Sequence, residues 1–269
     1  MPSMRQEGIL ALVSPEYPWK DRFSCLETVD STNNRLKILA REGAPHGTAL
    51  CAERQTSGRG RLGRSFLSPS GVGIYLSILL RPECRPESLM HLTCATAEYM
   101  CDALESAAGF RPEIKWANDL VYRRRKLCGI LTELGLREDG TVDHAVIGIG
   151  VNCCQSENDF PPELRKTAAS IAMVTGKQPS RERVAAAMLD ALHRMDSELF
   201  TVQNTVMERY RRDCVTVGQE ISLVKGDTLR HGKALDVRDD GALIVEFSPG
   251  RREAVSSGEV SVRGMYGYI

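Results

Sequence analysis

The chain lacks a charge excess of either sign: its 269 residues carry 35 Lys plus Arg against 35 Asp plus Glu. A general nucleic-acid binder shows a basic surplus, so any functional positive charge here is local. Paired cysteines of the metal or redox kind are also missing. Nine cysteines are present, none in a C-x-x-C pair, and the five histidines do not cluster with them. That spacing argues against a zinc site and a disulfide framework. Most of the thiols sit in apolar runs, where a cysteine behaves as a small hydrophobe, as expected of a reduced cytoplasmic protein. The N-terminus shows no charged start, apolar run and cleavage site of an export signal. No segment reaches the roughly 18 apolar residues needed to span a bilayer, so no membrane partner is expected. What is present, 42% hydrophobic and 26% charged residues, is ordinary for a globular protein. The length suggests about two domains.

Residues 1–24 show no clear periodicity and are too few for a helix-turn-helix domain and its linker. From Asp30 the pattern sharpens. Asp30, Ser31 and Thr32 suit a helix start, Leu36, Leu39 and Ala40 share one face, and Gly43 is a plausible stop. A strand is predicted near 48–54, then a glycine-rich loop, then a buried strand over 73–80, GIYLSILL. Pro86 suits the first turn of a long helix ending at Gly109. Strands are predicted over 112–122, 126–134 and 144–152, the first two joined by the turn Arg123, Arg124, Arg125 as an antiparallel hairpin. Ser180 opens a helix burying Val184, Met188, Leu192, Met195 and Leu199, and a short helix follows over 202–212. Beyond Gly218 short strands alternate with turns at Gly226-Asp227 and Asp239-Asp240-Gly241. That composition suits a small β-barrel after a mixed α/β domain.

Chemistry concentrates in a few runs. GRGRLGR, Gly58 to Arg64, alternates glycines with Arg59, Arg61 and Arg64, with no acidic residue between them. Three like charges on a pliable backbone repel one another, so the loop is expected to be poorly ordered until an anion arrives. One opposite-charge pair at about 4 Å is worth roughly 4 kcal/mol at an effective dielectric near 20, so the loop reads as a phosphate clamp. A solvated turn or a nucleic-acid contact is the bland alternative. In KWANDL, strand alternation puts Lys115, Ala117 and Asp119 on one face, and Trp116 and Asn118 on the other. Lys126 follows seven positions after Asp119 and opens KLCGILTEL. A hairpin brings these polar groups onto neighbouring strands, although each lysine alone suits a solvent-facing strand. Gly129 marks close approach of a ligand or backbone. GIGVN, Gly148 to Asn152, ends the next strand with two glycines and an amide.

Asp30-Ser-Thr-Asn33, Gln55 before GRGRLGR, KWAND, KLCGILTE and GIGVN stand in the order and approximate spacing of the bacterial biotin–protein ligases. The chain resembles that family from about residue 28 to its end, in the form without the N-terminal DNA-binding domain. The resemblance implies an α+β fold: a mixed β-sheet catalytic domain of the class II aminoacyl-tRNA synthetase and biotin ligase type over 25–215, after an N-terminal segment (1–24). A small C-terminal β-barrel over 216–269 completes it. It also implies the reaction: ATP activates biotin as biotinyl-5′-AMP, and biotin passes to a lysine of a biotin carboxyl carrier protein, such as that of acetyl-CoA carboxylase. Ser31 and Thr32, with Asn33 beside them, and Gln55 would read the ureido ring of biotin. Gly58, Arg59, Gly60, Arg61 and Arg64 would form the loop over biotin and adenylate. Lys126 would meet the biotin carboxylate, with Gly129 close by. Lys115 and Asn118 would contact the nucleotide, Phe66 would wall the adenine, and Asn152 would sit near the adenosine. Arg61, Lys115, Asp119 and Lys126 are the candidate catalytic groups, Asp119 as the base for the acceptor lysine.

Magnesium would travel with ATP, and no metal ligands can be named. Three positions depart from the family's pattern: Ala117 for a common proline, Leu62 for a frequent arginine, and Phe66 for a frequent tryptophan. The rival readings are a lipoate or octanoyl ligase of the same fold, whose ligand lacks the ureido group, and a non-catalytic nucleic-acid binder. Zero net charge and the short N-terminal segment argue against DNA binding. A homodimer is an expectation by analogy alone.

Overall fold

Alternation along the central strands builds the fold. The computed structural model describes residues 3–225, 227–256 and 261–264. In chain order its elements are α1 (Gln6–Leu10), β1 (Phe23–Val29), α2 (Thr32–Arg41), β2 (Ala49–Gln55), β3 (Gly73–Leu80), α3 (Leu92–Ala108), β4 (Glu113–Lys115), β5 (Asp119–Tyr122), β6 (Arg125–Leu136), β7 (Val142–Asn152), α4 (Ile171–Thr175), α5 (Arg181–Glu198), α6 (Gln203–Asp213), β8 (Glu220–Lys225), β9 (Thr228–Val237), β10 (Leu243–Ser248), β11 (Arg251–Val255) and β12 (Ser261–Gly264). Seven strands form one mixed sheet in the order β1-β2-β3-β7-β6-β5-β4, with β1 and β2 parallel and the other neighbours antiparallel. The last five form an antiparallel sheet, β11-β10-β9-β8-β12.

β3 shows why the central run is apolar throughout. Ile74, Leu76, Ile78 and Leu80 enter the main core with the inner faces of α3 and α5. The intervening Leu79 packs instead with Leu36 and Ala40 of α2 in a smaller core. Tyr75 and Ser77 share the face of Leu79, because side chains alternate across a strand. Burying each such Leu or Ile is worth about 1.5–3 kcal/mol. One face of the sheet therefore carries the main core, and the other, beside α2, is left for a site.

The helix starts follow their caps. Ser31 and Ser180 accept the Asn34 and Arg183 amides and open α2 and α5. Gly109 ends α3 with a φ of 76°. Two local expectations are corrected. Pro86 opens a separate 3-10 turn, Pro86–Leu89, and α3 starts only at Leu92. Between them buried His91 is anchored by Nε2 lying 3.3 Å from the Leu199 carbonyl. KWANDL is not one strand: β4 and β5 pair antiparallel, Lys115 opposite Asp119, with 116–118 as the turn. The turn is tied to the second sheet, since the Trp116 amide donates to Thr216 Oγ1 and its indole Nε1 to the Gly241 carbonyl. The expected split of alternate residues between two faces therefore fails in this segment. The basic turn does join β5 to β6, with Arg123 and Arg124 at positive φ. Asp239-Asp240-Gly241 is a turn as expected, with Gly241 at φ 83°, whereas Gly226 lies outside the described residues.

The N-terminal segment has no visible period because its residues fill gaps singly. Met4, Ile9, Val13, Tyr17 and Trp19 are all buried in the main core. Glu53 on β2 holds this segment and α5 together. It accepts the Met4 and Gly71 amides and pairs with Arg181 at 3.0 Å, both side chains being about 5% exposed or less. On the far side Arg111 bonds Glu98 and Asp102 of α3 and Asp213 of α6, fixing the approach to β4. All nine cysteines are free thiols, and seven are buried.

Candidate active site

The open face of the sheet carries a polar cavity of about 480 Å³ at the N-terminus of α2. The Thr32 amide and hydroxyl both donate to Gln55 Oε1, at 2.9 and 3.1 Å, and Gln55 Nε2 donates to Ser68 Oγ at 2.9 Å. Ser77 Oγ lies 2.7 Å from Thr32 Oγ1 and 2.6 Å from Asn33 Oδ1. Asn33 Nδ2 donates to the Leu131 carbonyl and to Glu133. Ser31, Thr32 and Asn33 are each about 3% exposed or less, so their polar atoms are set by the protein rather than by water.

The glycines on β6 and β7 serve this face. Gly148 and Gly150 alternate onto it, and Gly129 is the cross-strand partner of Gly150. A Cβ at Gly148 would fall 2.1 Å from Asn33 Oδ1, and one at Gly150 would fall 2.5 Å from the Phe66 ring. At Gly129 it would meet the end of Lys126 at 3.0 Å and Phe66 at 3.4 Å. The close approach expected at Gly129 is thus made by the protein's own aromatic ring and ammonium.

The arginine–glycine loop is folded across the cavity. The Gly60 amide donates to the Arg64 carbonyl and the Phe66 amide to the Gly58 carbonyl, at 2.7 and 2.9 Å. Arg59 and Ser65 form an antiparallel bridge. The expectation of a loop poorly ordered for want of counter-charges is corrected, because the counter-groups come from distant sequence. Arg59 pairs with Glu133 and donates to Asn34 Oδ1. Arg61 donates to Asn118 Oδ1 at 2.7 Å, and Asn118 in turn donates to the Ile130 carbonyl. Burial pulls the Arg61 guanidinium below its ordinary pKa, partly offset by Asp119, and a guanidinium stays charged regardless. At Glu133 burial raises the carboxyl, but Lys37, Asn33 and Arg59 together outweigh it and hold it below its usual value.

Lys126 stands where the polar cavity meets a second, more apolar cleft of about 810 Å³, and both are lined by Lys126 and Phe66. Its ammonium pairs with Asp119 at 2.7 Å and lies 5.9 Å from the Phe66 ring centre. Its backbone is pinned to the 167–169 segment: its amide donates to the Thr167 carbonyl and its carbonyl accepts the Ala169 amide. The second cleft is walled by Phe66, Leu67, Phe160 and Leu164, with Asn152 and Gln155 among its polar groups.

Ser31, Thr32, Asn33, Gln55, Arg59, Gly60, Arg61, Phe66, Asn118, Lys126 and Gly129 all line the first cavity, and Arg64 and Asn152 line the second. Gly58, Lys115 and Asp119 line neither; Gly58 closes the base of the loop, and Lys115 and Asp119 face each other in register behind Lys126. Sequence reasoning missed Ser68, Ser77, Glu133 and Gln155. Glu133 stands inside KLCGILTEL, and an acidic residue in an apolar strand was the available signal. Among the described residues no group of three or more His, Cys, Asp or Glu could hold a metal ion. None of the described helices is long and apolar enough to cross a membrane.

A mixed sheet with a polar cavity and an apolar cleft joined at one lysine, under an arginine–glycine loop, defines an enzyme class that couples two anionic small molecules. The family model described as the biotin/lipoate A/B protein ligase family matches residues 25–152, and that of the biotin protein ligase C-terminal domain matches residues 216–263. The bifunctional ligase/repressor BirA of Bacillus subtilis (strain 168) is 33% identical over 235 residues, covering 86% of this chain and 71% of the relative. A biotin–[acetyl-CoA-carboxylase] ligase of Mycobacterium tuberculosis is 30% identical, covering 86% of this chain and 85% of its own. The solved structure of biotin protein ligase from Aquifex aeolicus in complex with biotin and ATP superposes with a TM-score of 0.72 at 30% identity, covering 90% of this chain and 99% of that one. The chain belongs to the biotin/lipoate protein ligase family.

Proposed function

We propose that the chain is a biotin–protein ligase, with residues 25–215 as its catalytic unit and 216–269 as its C-terminal unit. A biotin carboxylate oxygen attacks the α-phosphorus of ATP, the bond to the β-phosphate breaks, and pyrophosphate leaves. An acceptor lysine amine then attacks the acyl carbon of biotinyl-5′-AMP, AMP departs, and the amine loses a proton. The observation that carries this reading is the position of Lys126, whose side chain lines both the polar cavity and the apolar cleft. A cation there meets a carboxylate held in one cavity and a phosphate reaching from the other.

Thr32, Gln55 and the neighbouring Ser31 suit the ureido ring of biotin, because they bring hydroxyl and amide groups to the polar cavity that can exchange hydrogen bonds with its N–H and C=O, and the ring of lipoate offers none in return. Arg59, Gly60 and Arg61 roof the intermediate and exclude water from a hydrolysable anhydride. Arg64, Lys115 and Asn118 serve the nucleotide phosphates, and Phe66 and Asn152 the adenosine. Magnesium fits as an ion carried by the nucleotide, neutralising phosphate charge, rather than as one held in a protein cage. The acceptor is a biotin carboxyl carrier domain, and the cytoplasm is where such an acceptor and ATP meet.

The test is incubation with ATP, magnesium and either biotin or lipoate, followed by mass analysis. Biotinyl-AMP is expected from the first mixture alone; lipoyl-AMP as the main product, or no adenylate at all, would refute the reading. A second expectation concerns Asp119. Asp119→Asn removes a negative charge close to two anionic substrates, so adenylation is little harmed. It also removes the carboxylate paired with Lys126 at the junction of the two cavities, the group we assign to take the acceptor amine's proton, so transfer slows, by about 10²-fold for a general base. Single-turnover measurement of each half-reaction checks this; equal slowing of both rules out the role.

A further inference from the structure

We infer that Cys25 and Cys51 form an oxidation site: a peroxide closes them into a disulfide, a free thiol reopens it, and closure weakens the biotin pocket. The site stands on the two thiols alone, whereas its effect rests on the ligase reading. Cys25 and Cys51 are directly paired across the parallel strands β1 and β2. Paired residues on neighbouring strands present their side chains to one face, with the strands about 4.8 Å apart. That spacing lies inside the roughly 4.4–6.8 Å that the Cα atoms of a disulfide span. Both side chains turn to the main core, Cys51 within it and Cys25 packed against it. Cys51 is buried, and Cys25 is half-buried on β1, the edge strand of the sheet, so an oxidant reaches Cys25 first. Contact with the Cys51 thiol outweighs burial and holds the Cys25 thiol below its ordinary pKa, which favours the reactive thiolate. Cys84, the other half-buried thiol, has its pKa raised by burial, and the adjacent Cys153 and Cys154 are both buried.

The Cys25 thiolate takes one oxygen of hydrogen peroxide; the O–O bond breaks, and hydroxide leaves and is protonated to water. The Cys51 thiol then attacks the Cys25 sulfur. The S–S bond forms, the S–O bond breaks, and a second water leaves with the Cys51 proton. The two thiols are oxidised and the peroxide is reduced. A disulfide holds its Cβ atoms about 3.8 Å apart, closer than the strand spacing, so closure draws β1 and β2 together. A bond strained in this way is readily reduced again. The same two strands deliver the biotin pocket. Farther along them Val29 is opposite Gln55, and Thr32, just past β1, donates to Gln55 Oε1 at 2.9 and 3.1 Å. Drawing the strands together misaligns the groups assigned to the ureido ring.

The experiment treats the full chain with hydrogen peroxide, with and without later dithiothreitol, and maps its thiols by mass spectrometry of peptides. It also reads KM for biotin and for ATP in biotinyl-AMP formation, and calorimetric Kd for biotin. A Cys25–Cys51 bond is expected, with KM and Kd for biotin raised about three- to tenfold, the scale of one weakened hydrogen bond. KM for ATP should stay unchanged, and dithiothreitol should restore the rest. Cys25→Ser should keep the reduced wild-type activity and lose the response, whereas Cys84→Ser should keep the response. Both thiols left free, or Cys25 oxidised to a sulfinic acid without pairing, overturns the site. The disulfide with unchanged biotin affinity, or a loss of affinity that persists in Cys25→Ser, overturns its link to the pocket. If Cys25→Ser does not fold, the wild-type peptide map and biotin affinity decide alone. Absence of biotinyl-AMP from the reduced wild type would instead strike the ligase reading and leave the mapped bond standing.

Discussion

Lys126→Met will form biotinyl-AMP about 10²–10³-fold more slowly than wild type while remaining folded, since about 2.7–4 kcal/mol of barrier corresponds to that range. The Lys126 ammonium lies at the junction of the two cavities, where a carboxylate must approach a phosphate against mutual repulsion. One opposite-charge pair at about 4 Å is worth roughly 4 kcal/mol at an effective dielectric near 20. Lys126 is 28% exposed and already bonded to Asp119, so part of that value is screened or already in use. Methionine retains the unbranched apolar stem, so the contacts at Gly129 and Phe66 are largely kept. The Asp119 carboxylate loses its partner in this variant. Lys126→Met combined with Asp119→Asn removes that complication and should show the same slow adenylation. Single-turnover formation of biotinyl-AMP checks the expectation, with thermal unfolding as the control for folding. A loss of less than threefold in both variants would remove Lys126 from the reaction.

Arg181→Met is expected to cost about 3–5 kcal/mol of stability at neutral pH, the scale of a buried ion pair broken on one side. Glu53 and Arg181 are 4% and 5% exposed at their side chains, and Arg181 is also near the Gly73 carbonyl at 3.3 Å. Burial raises the Glu53 carboxyl, but the Met4 amide, Arg181 and the Gly71 amide together overcome it and leave its pKa below the ordinary value. A depressed folded-state pKa stabilises above the unfolded value of about 4.3 and is lost as pH falls through the folded value. Without Arg181 the balance reverses, burial dominates, and the carboxyl is driven up. The variant's deficit is therefore largest at pH 7 and shrinks towards about pH 4, where an unfolded Glu is itself becoming neutral. Glu53→Gln combined with Arg181→Met should recover part of the loss. Denaturant unfolding at both pH values checks this; a deficit below about 1 kcal/mol, or one equal at both pH values, would show that the pair is solvated. Because Gly73 is in register with Asn152, the same pair also braces the edge of the apolar cleft.

Local order carried much of this protein's outline. The serine caps at Ser31 and Ser180, the glycine stop after α3 and the apolar run of β3 each follow from interactions within a few residues, where sequence spacing and spatial neighbourhood coincide. The arginine–glycine loop around Arg61 stood out for the same reason, as cations and glycines in a short run, whereas Thr32, Gln55 and the role of Lys126 were named through the family resemblance. Tertiary structure decided how they meet. Trp116 turns KWANDL out of a single strand because its hydrogen-bond partners, Thr216 and Gly241, lie just before the second sheet and in its β9–β10 turn. The arginine loop is held by Glu133 and Asn118, which no local rule connects to it. Gly129 and Gly150 became neighbours only through β6–β7 pairing, and Cys25 met Cys51 only through β1–β2 pairing. Propensity and capping are short-range energies written along the chain, whereas charge pairing and hydrogen-bond completion depend on distances that exist only after the chain has folded.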